Sequence, residues 1–176
     1  MGERHGATTE NTKKYIDFAH RNNIRGVLVE GWNAGWENWG GSQEFDYTKP
    51  YADFDIEELA RYAKDKDSAL IGHHETGGNI YNYEHQLDRA FQWYKNLGID
   101  NVKTGYAGGM PDGQVHQGQF GVRHFQKVVE TAAKYRITIN GHEIIKDTGI
   151  RRTWPNMMSR ECARGMEWNG WSEGNP

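Results

Sequence analysis

Short apolar runs rich in β-branched residues return along the chain near Gly26, Ala69, Asn101 and Arg136, and each interval between them holds a helical pattern. The runs are "GVLVEGW", "ALIGHH", "NVKTGY" and "RITING". Between them lie "DIEELARYAKD" from Asp55, "NYEHQLDRAFQWYKNLG" closing on Gly98, and "QFGVRHFQKVVETAAKY". All three carry the apolar spacing of a helix packed on one face. A further helix precedes the first run. Thr8-Thr9-Glu10 can cap it, Tyr15, Ile16, Phe18 and Ala19 form its apolar face, and Asn22-Asn23 stops it. After the fourth run a helical turn is expected over Met157 to Ala163, then a fifth strand over "GMEW", Gly165 to Trp168.

Strands separated by helices, without hairpin turns, specify parallel βαβ units. Near-continuous apolar character fits strands covered on both faces. A doubly wound dinucleotide fold would carry a short GxGxxG turn after its first strand. "GGMPDGQVHQGQ" lacks that spacing and is too long for such a turn. A (β/α)8 barrel fits better, although about 250 residues are typical of one. The 176 residues supply about five parallel strands. The expected architecture is therefore α/β, a partial (β/α)8 barrel, with residues 1–176 forming a single piece of a catalytic domain.

The formal charge of −3 offers no electrostatic footprint for nucleic acid or an anionic membrane surface. No apolar run approaches the roughly 18 residues of a membrane span. The opening "MGERHGATTENTKKY" has no apolar core of a signal peptide, so no export signal is expected in the chain as it stands. The lone Cys162 excludes an internal disulfide. Seven tryptophans are many for this length. Trp32, Trp36 and Trp39 share the loop "GWNAGWENWGG", and Trp154, Trp168 and Trp171 lie near the end. Aromatics usually fill cores. Spaced by Gly, Asn and Glu, the first cluster instead suits a polar-rimmed surface on which sugar rings stack.

In parallel α/β folds the working residues sit at the C-terminal ends of the strands. Those ends carry Glu30, then His73, His74 and Glu75, then His142 and Glu143, then Glu167. The third strand ends in Thr104-Gly105-Tyr106, without an acid. A single such glutamate is as readily a structural ion-pair partner; the repetition is what points to a carboxylate-lined cleft. Glycoside hydrolysis, metal-assisted sugar isomerisation or aldol chemistry, and sugar binding without catalysis all use such a rim. Neither HExxH nor a Cys/His pair at zinc spacing is present. Glu143, Glu161 and Glu167 suit a hard, oxygen-seeking ion such as calcium.

"HGATTENTKKYIDFA", "VLVEGWNAGWE", "HHET", "VKTGY", "INGHE" and "RRTWPNMMSRECARGMEW" together resemble the catalytic barrel of glycoside hydrolase family 97, in the family's order and over His5 to Trp168. The resemblance implies α-glucosidase or α-galactosidase chemistry on an oligosaccharide substrate. It also implies a parent chain with an N-terminal β-sandwich and a small C-terminal β domain, both absent here, and a periplasmic or secreted location for that parent. Retaining members carry an aspartate nucleophile in a "VKVD"-like context, where this chain has Gly105. Inverting α-glucosidases of the family also have glycine there.

On that basis the chain is expected to be inverting. Glu75 and Glu143 would hold and deprotonate the attacking water, and Glu167, in its "ARGxE" context, would be the general acid. Calcium would be bound through Glu143, Glu161 and Glu167. Glu30, Trp32, His74 and His142 are the expected substrate contacts, although a histidine flanked by apolar strand residues is equally well a core residue. Tyr106 beside Gly105 has no evident base to make it a nucleophile. The alternatives are an α-galactosidase or other α-glycosidase of the same family, and a catalytically incompetent sugar-binding piece of the barrel.

Overall fold

The computed structural model describes residues 5–38, 45–170 and 172–173; Trp39 and Trp171 lie outside the described residues. Helix α1 covers Thr9–Arg21, with Thr8 as its N-cap accepting from the Asn11 N–H and Asn22 as its C-cap. Asn23 follows in left-handed backbone at φ 56°, which asparagine tolerates. Helix α2, Ile56–Asp65, begins on Asp55, whose carboxylate accepts from the Glu58 N–H at 2.8 Å. Helix α3, Ile80–Leu97, ends on left-handed Gly98 as the sequence requires, and α4 spans Gln119–Lys134. A one-turn helix, α5, covers Ile150–Thr153.

The strands are β1 (Gly26–Leu28), β2 (Ala69–Glu75), β3 (Asn101–Gly105), β4 (Thr138–His142) and β5 (Met157–Glu161). They form one parallel sheet in chain order, β1-β2-β3-β4-β5. The partial (β/α)8 architecture is thus present.

The last strand differs from expectation. Met157–Glu161 is strand, not a helical turn, and "GMEW" lies in a 3₁₀ turn, Met166–Gly170. Met-Met-Ser-Arg-Glu has little intrinsic strand preference. The open edge of β4 decides its conformation by pairing Ile139 with Met157 and His142 with Glu161 across an irregularity at Ile139/Asn140. Residues 165–168 follow the last paired strand and have no neighbour to pair with among the described residues. Glu161, not Glu167, therefore takes the fifth strand-end position.

Alternation along each strand sorts residues between two layers. Leu70, Gly72 and His74 of β2 face the helices. His74 stacks on Tyr94 of α3 at 4.9 Å, and a Cβ at Gly72 would stand 2.5 Å from the Tyr94 ring. Val102 and Tyr106 join the same outer core with Phe91, Phe125 and Val128. Ile71, His73, Glu75, Lys103, Gly105, His142 and Glu161 belong to the inner face. That face is concave. In a flat sheet β1 and β5 would lie four strand spacings apart, about 19 Å. Yet Lys103 Nζ of β3 reaches Glu30 beyond β1 at 2.8 Å and Glu161 of β5 at 3.3 Å.

Candidate active site on the inner face

Glu75, His142, Glu143 and Glu161 stand at or just past the C-terminal ends of their strands, where the chain leaves the sheet. Glu75 is the last residue of β2 and is only 7 % exposed. Its Oε1 accepts from the Gly77 N–H at 2.9 Å, and its backbone carbonyl accepts from the Tyr47 hydroxyl at 3.1 Å. The opposite carboxylate oxygen lies over Gly105, the last residue of β3. A Cβ built there would collide with Glu75 Oε2 and sit 3.0 Å from its Cδ. Gly105 keeps ordinary backbone, so what it provides is space, and the Glu75 carboxylate fills it.

Glu143 follows β4 in left-handed backbone at φ 51°, an uncommon conformation for a residue with a side chain. Its N–H donates to the Glu161 carbonyl at 3.0 Å, and its Oε2 accepts from the Tyr106 N–H at 2.7 Å. His142 stands between two carboxylates. Nδ1 is 3.1 Å from Glu143 and Nε2 is 3.1 Å from Glu161. Donor atoms of Glu75, His142 and Glu143 all fall within 4.8 Å of one another.

The charges are set by these contacts. Burial, helped by repulsion from Glu143, pushes Glu75 up to about 7. Burial works against the Glu143 carboxylate too, but His142 and the Tyr106 N–H outweigh it and hold its pKa below the usual value. The hydrogen bond with Glu143 raises His142. Two neighbouring acids are thus driven in opposite directions, the pattern that separates a protonated from an ionised carboxyl near neutral pH. Burial lowers His73 to about 4, so it is neutral at pH 7 although Nε2 lies 3.7 Å from Glu30. With His73 neutral, Lys103 and, more weakly, His142 are the cations that hold Glu30 below its usual pKa against its own desolvation.

Stability should report the Glu75 shift directly. A carboxyl that titrates at about 7 in the fold and near 4.5 when free keeps a proton that the unfolded chain releases. Its contribution is complete below about pH 4.5 and is lost as pH rises to 7, a span of roughly 3 kcal/mol. Glu75→Gln should remove that part of the pH dependence and be more stable than the parent at pH 8. Thermal melts at pH 5 and pH 8 check this; an unchanged slope in the variant would contradict it.

Not every expected contact lines the cleft. Trp32 is 2 % exposed, its indole N–H donates to the His73 carbonyl at 2.8 Å, and Trp93, Tyr94 and Phe54 surround it. It is a core residue that braces β2, not an open stacking face. Trp36 packs on Phe45 and His73. His74 is fully buried in the outer layer, with Nδ1 2.9 Å from the Tyr83 hydroxyl. Two-residue alternation makes this unavoidable once Glu75 points inward. Glu30, His142 and Glu143 do meet on the inner face. Glu167 lies exposed in the 3₁₀ turn and lines one open cleft with Tyr106, His142, Glu143 and Glu161. Among the described residues it forms no ion pair. Trp168 in the same turn lies under the Arg164 guanidinium at 4.5 Å. Lys103, flanked by Val102 and Thr104 in the central strand, carries no acid or histidine signal of its own, yet its side chain reaches both Glu30 and Glu161.

The side chains that converge closely enough to share an ion are Glu75, His142 and Glu143; of the expected calcium ligands, Glu161 reaches this group through His142 and Glu167 shares the cleft without joining it.

The family model Glycoside hydrolase 97 matches residues 1–163. A curated relative from Bacteroides thetaiotaomicron, named retaining alpha-galactosidase, is 26% identical over 167 residues, covering 95% of this chain and 23% of its own. A probable retaining alpha-galactosidase from Streptomyces bingchenggensis is 26% identical over 174 residues, covering 94% and 24%. A solved enzyme from Pseudoalteromonas sp. strain K8, described as a family 97 enzyme in complex with acarbose, is 48% identical with a TM-score of 0.90. That match covers 97% of this chain and 28% of the solved one. A variant of the same enzyme was solved with panose. The chain therefore spans about a quarter of the length of the curated relatives it matches.

Proposed function

This chain belongs to glycoside hydrolase family 97, and we propose that it carries the site of an α-glucoside hydrolase that inverts the anomeric centre. The observation that carries the mechanism is Gly105. The third strand end bears no nucleophile, and the room beside it is taken by Glu75. Panose is built of α-linked glucose units, and its complex with an enzyme 48% identical to this chain supports a glucoside substrate.

In this reading a water molecule held by Glu75 and Glu143 attacks the anomeric carbon as the bond to the leaving oxygen breaks. Glu143, kept ionised by His142 and the Tyr106 N–H, takes the water proton, and Glu167 gives its proton to the leaving oxygen. Glu30, Lys103 and His142 line the inner face with charge that can bind sugar hydroxyls. Calcium, held by Glu143, Glu161 and Glu167, would supply fixed positive charge beside these carboxylates.

A second reading follows from the two curated relatives named for retaining α-galactosidase activity. The assay that separates the substrates compares p-nitrophenyl α-glucoside with the α-galactoside. We expect kcat/KM at least about tenfold higher for the glucoside, the scale on which one reoriented hydroxyl is discriminated. Preference for the galactoside would overturn the glucoside assignment.

A further inference from the structure

We propose that Glu84, His124 and Tyr106 form a positioning triad that runs from the outer helical layer to the peptide N–H holding Glu143. Tyr106 is the residue whose N–H donates to Glu143 Oε2 at 2.7 Å. Its backbone lies between flexible residues, although the Gly105 carbonyl of the same peptide accepts from the Thr76 N–H at 3.1 Å. Gly105 precedes it, and Ala107 leads into Gly108 and Gly109, both in left-handed backbone at φ 93° and 89°. Glycine restricts the chain little, so beyond that one hydrogen bond the Tyr106 side chain is what holds this peptide in place.

That side chain is fixed from outside the barrel. Its ring packs edge-on against Phe125 at 4.5 Å, and its hydroxyl lies 3.1 Å from His124 Nε2. His124 Nδ1 lies 2.8 Å from Glu84 Oε1, and Lys127 binds the other Glu84 oxygen at 2.6 Å. Burial lowers the His124 pKa despite Glu84, so the ring is neutral at pH 7. An ionised carboxylate only accepts, which places the imidazole proton on Nδ1. Nε2 then accepts, and the Tyr106 hydroxyl donates to it. The triad has one self-consistent proton arrangement and sets the phenol in one orientation. The neighbouring base suggests nucleophile activation, but the hydroxyl points into the helical layer, away from the inner face, so Tyr106 and His124 act through the backbone. Glu143, in left-handed backbone, has every reason to depend on this outside support.

The activity arm of the test rests on the hydrolase reading; the exchange arm does not. In the intact natural protein labelled with ¹⁵N, Tyr106→Phe and His124→Gln should exchange the residue-106 amide about tenfold faster than the parent while the Val102 and Thr104 amides stay protected. In the same variants kcat should fall about tenfold with KM within a factor of two, as expected for a misplaced catalytic carboxylate. Unchanged exchange at residue 106, or faster exchange across all of β3, would overturn the triad. So would local loosening with kcat unchanged in an active parent. A parent inactive on every α-glycoside would refute the hydrolase reading, while the exchange result would still decide the triad.

Discussion

Gly105→Ala should lose about a hundredfold or more in kcat while the protein still folds. The new methyl group points to the inner face and meets the Glu75 carboxylate, not a yielding apolar surface. Glu75 has little freedom to withdraw, since it is buried and its other oxygen is tied to the Gly77 N–H. The carboxylate must leave the place from which it would hold water. Gly72→Ala is the informative control. It lies three residues earlier on β2 but faces the helices, where its methyl group would press on the Tyr94 ring. Overpacking of that kind costs about 1–3 kcal/mol of stability. One glycine substitution should therefore act on turnover and the other on the melting temperature. Steady-state kinetics and thermal unfolding of both variants check this. Near-parental turnover in Gly105→Ala would show that Glu75 need not stand where it does.

Glu167→Gln should reduce hydrolysis of α-glucosides with poor leaving groups by about 10²–10⁴-fold, the usual contribution of a general acid. Substrates whose leaving group departs without a proton, such as p-nitrophenyl or fluoride glucosides, should lose far less. Glu167 is solvent-exposed on a 3₁₀ turn and free of ion pairs among the described residues. Its loss should therefore leave the melting temperature nearly unchanged, which makes the kinetic contrast easy to interpret. Equal losses on both substrate types would remove Glu167 from the acid role and turn attention to the protonated Glu75. Glu143→Gln, by contrast, should slow both substrate types alike, because water activation is needed whatever leaves.

Helices α1 to α4 and the first four strands were legible in the sequence because local signals agree there; the turn of α5 was not. Thr8 and Asp55 cap α1 and α2, Gly98 ends α3, and apolar periodicity places each buried face. Glu75 and Glu143 were legible for the same reason, as acids at the ends of well-marked strands. The fifth strand was not, since Met157–Glu161 becomes strand only through pairing with β4. Trp32 was misplaced because its Gly- and Asn-rich surroundings resemble a rim, while burial and the hydrogen bond to His73 are tertiary facts. His74 could have been corrected from sequence, since strand alternation forbids it and Glu75 from sharing a face. Lys103 could have been found likewise, as a cation between Val102 and Thr104 on an inward position of the central strand. The support of Tyr106 by His124 and Glu84 joins β3, α4 and α3, so no spacing along the chain announces it.

The stereochemistry of the first product tests the central claim most directly, because it depends on whether an enzyme carboxylate or a water attacks the anomeric carbon. Gly105 supplies no nucleophile, and the Tyr106 hydroxyl is buried against His124 in the outer layer. Attack by water in one step turns an α-glucoside into the β-anomer, whereas a covalent glycosyl-enzyme gives back the α-anomer. Proton NMR of the anomeric signal, recorded in the first minutes of hydrolysis before mutarotation mixes the forms, reads this outcome. The β-anomer appearing first is the expected result. An initial α-anomer would contradict the account and leave Glu75, over Gly105 at the end of β2, as the first carboxylate to examine as a nucleophile.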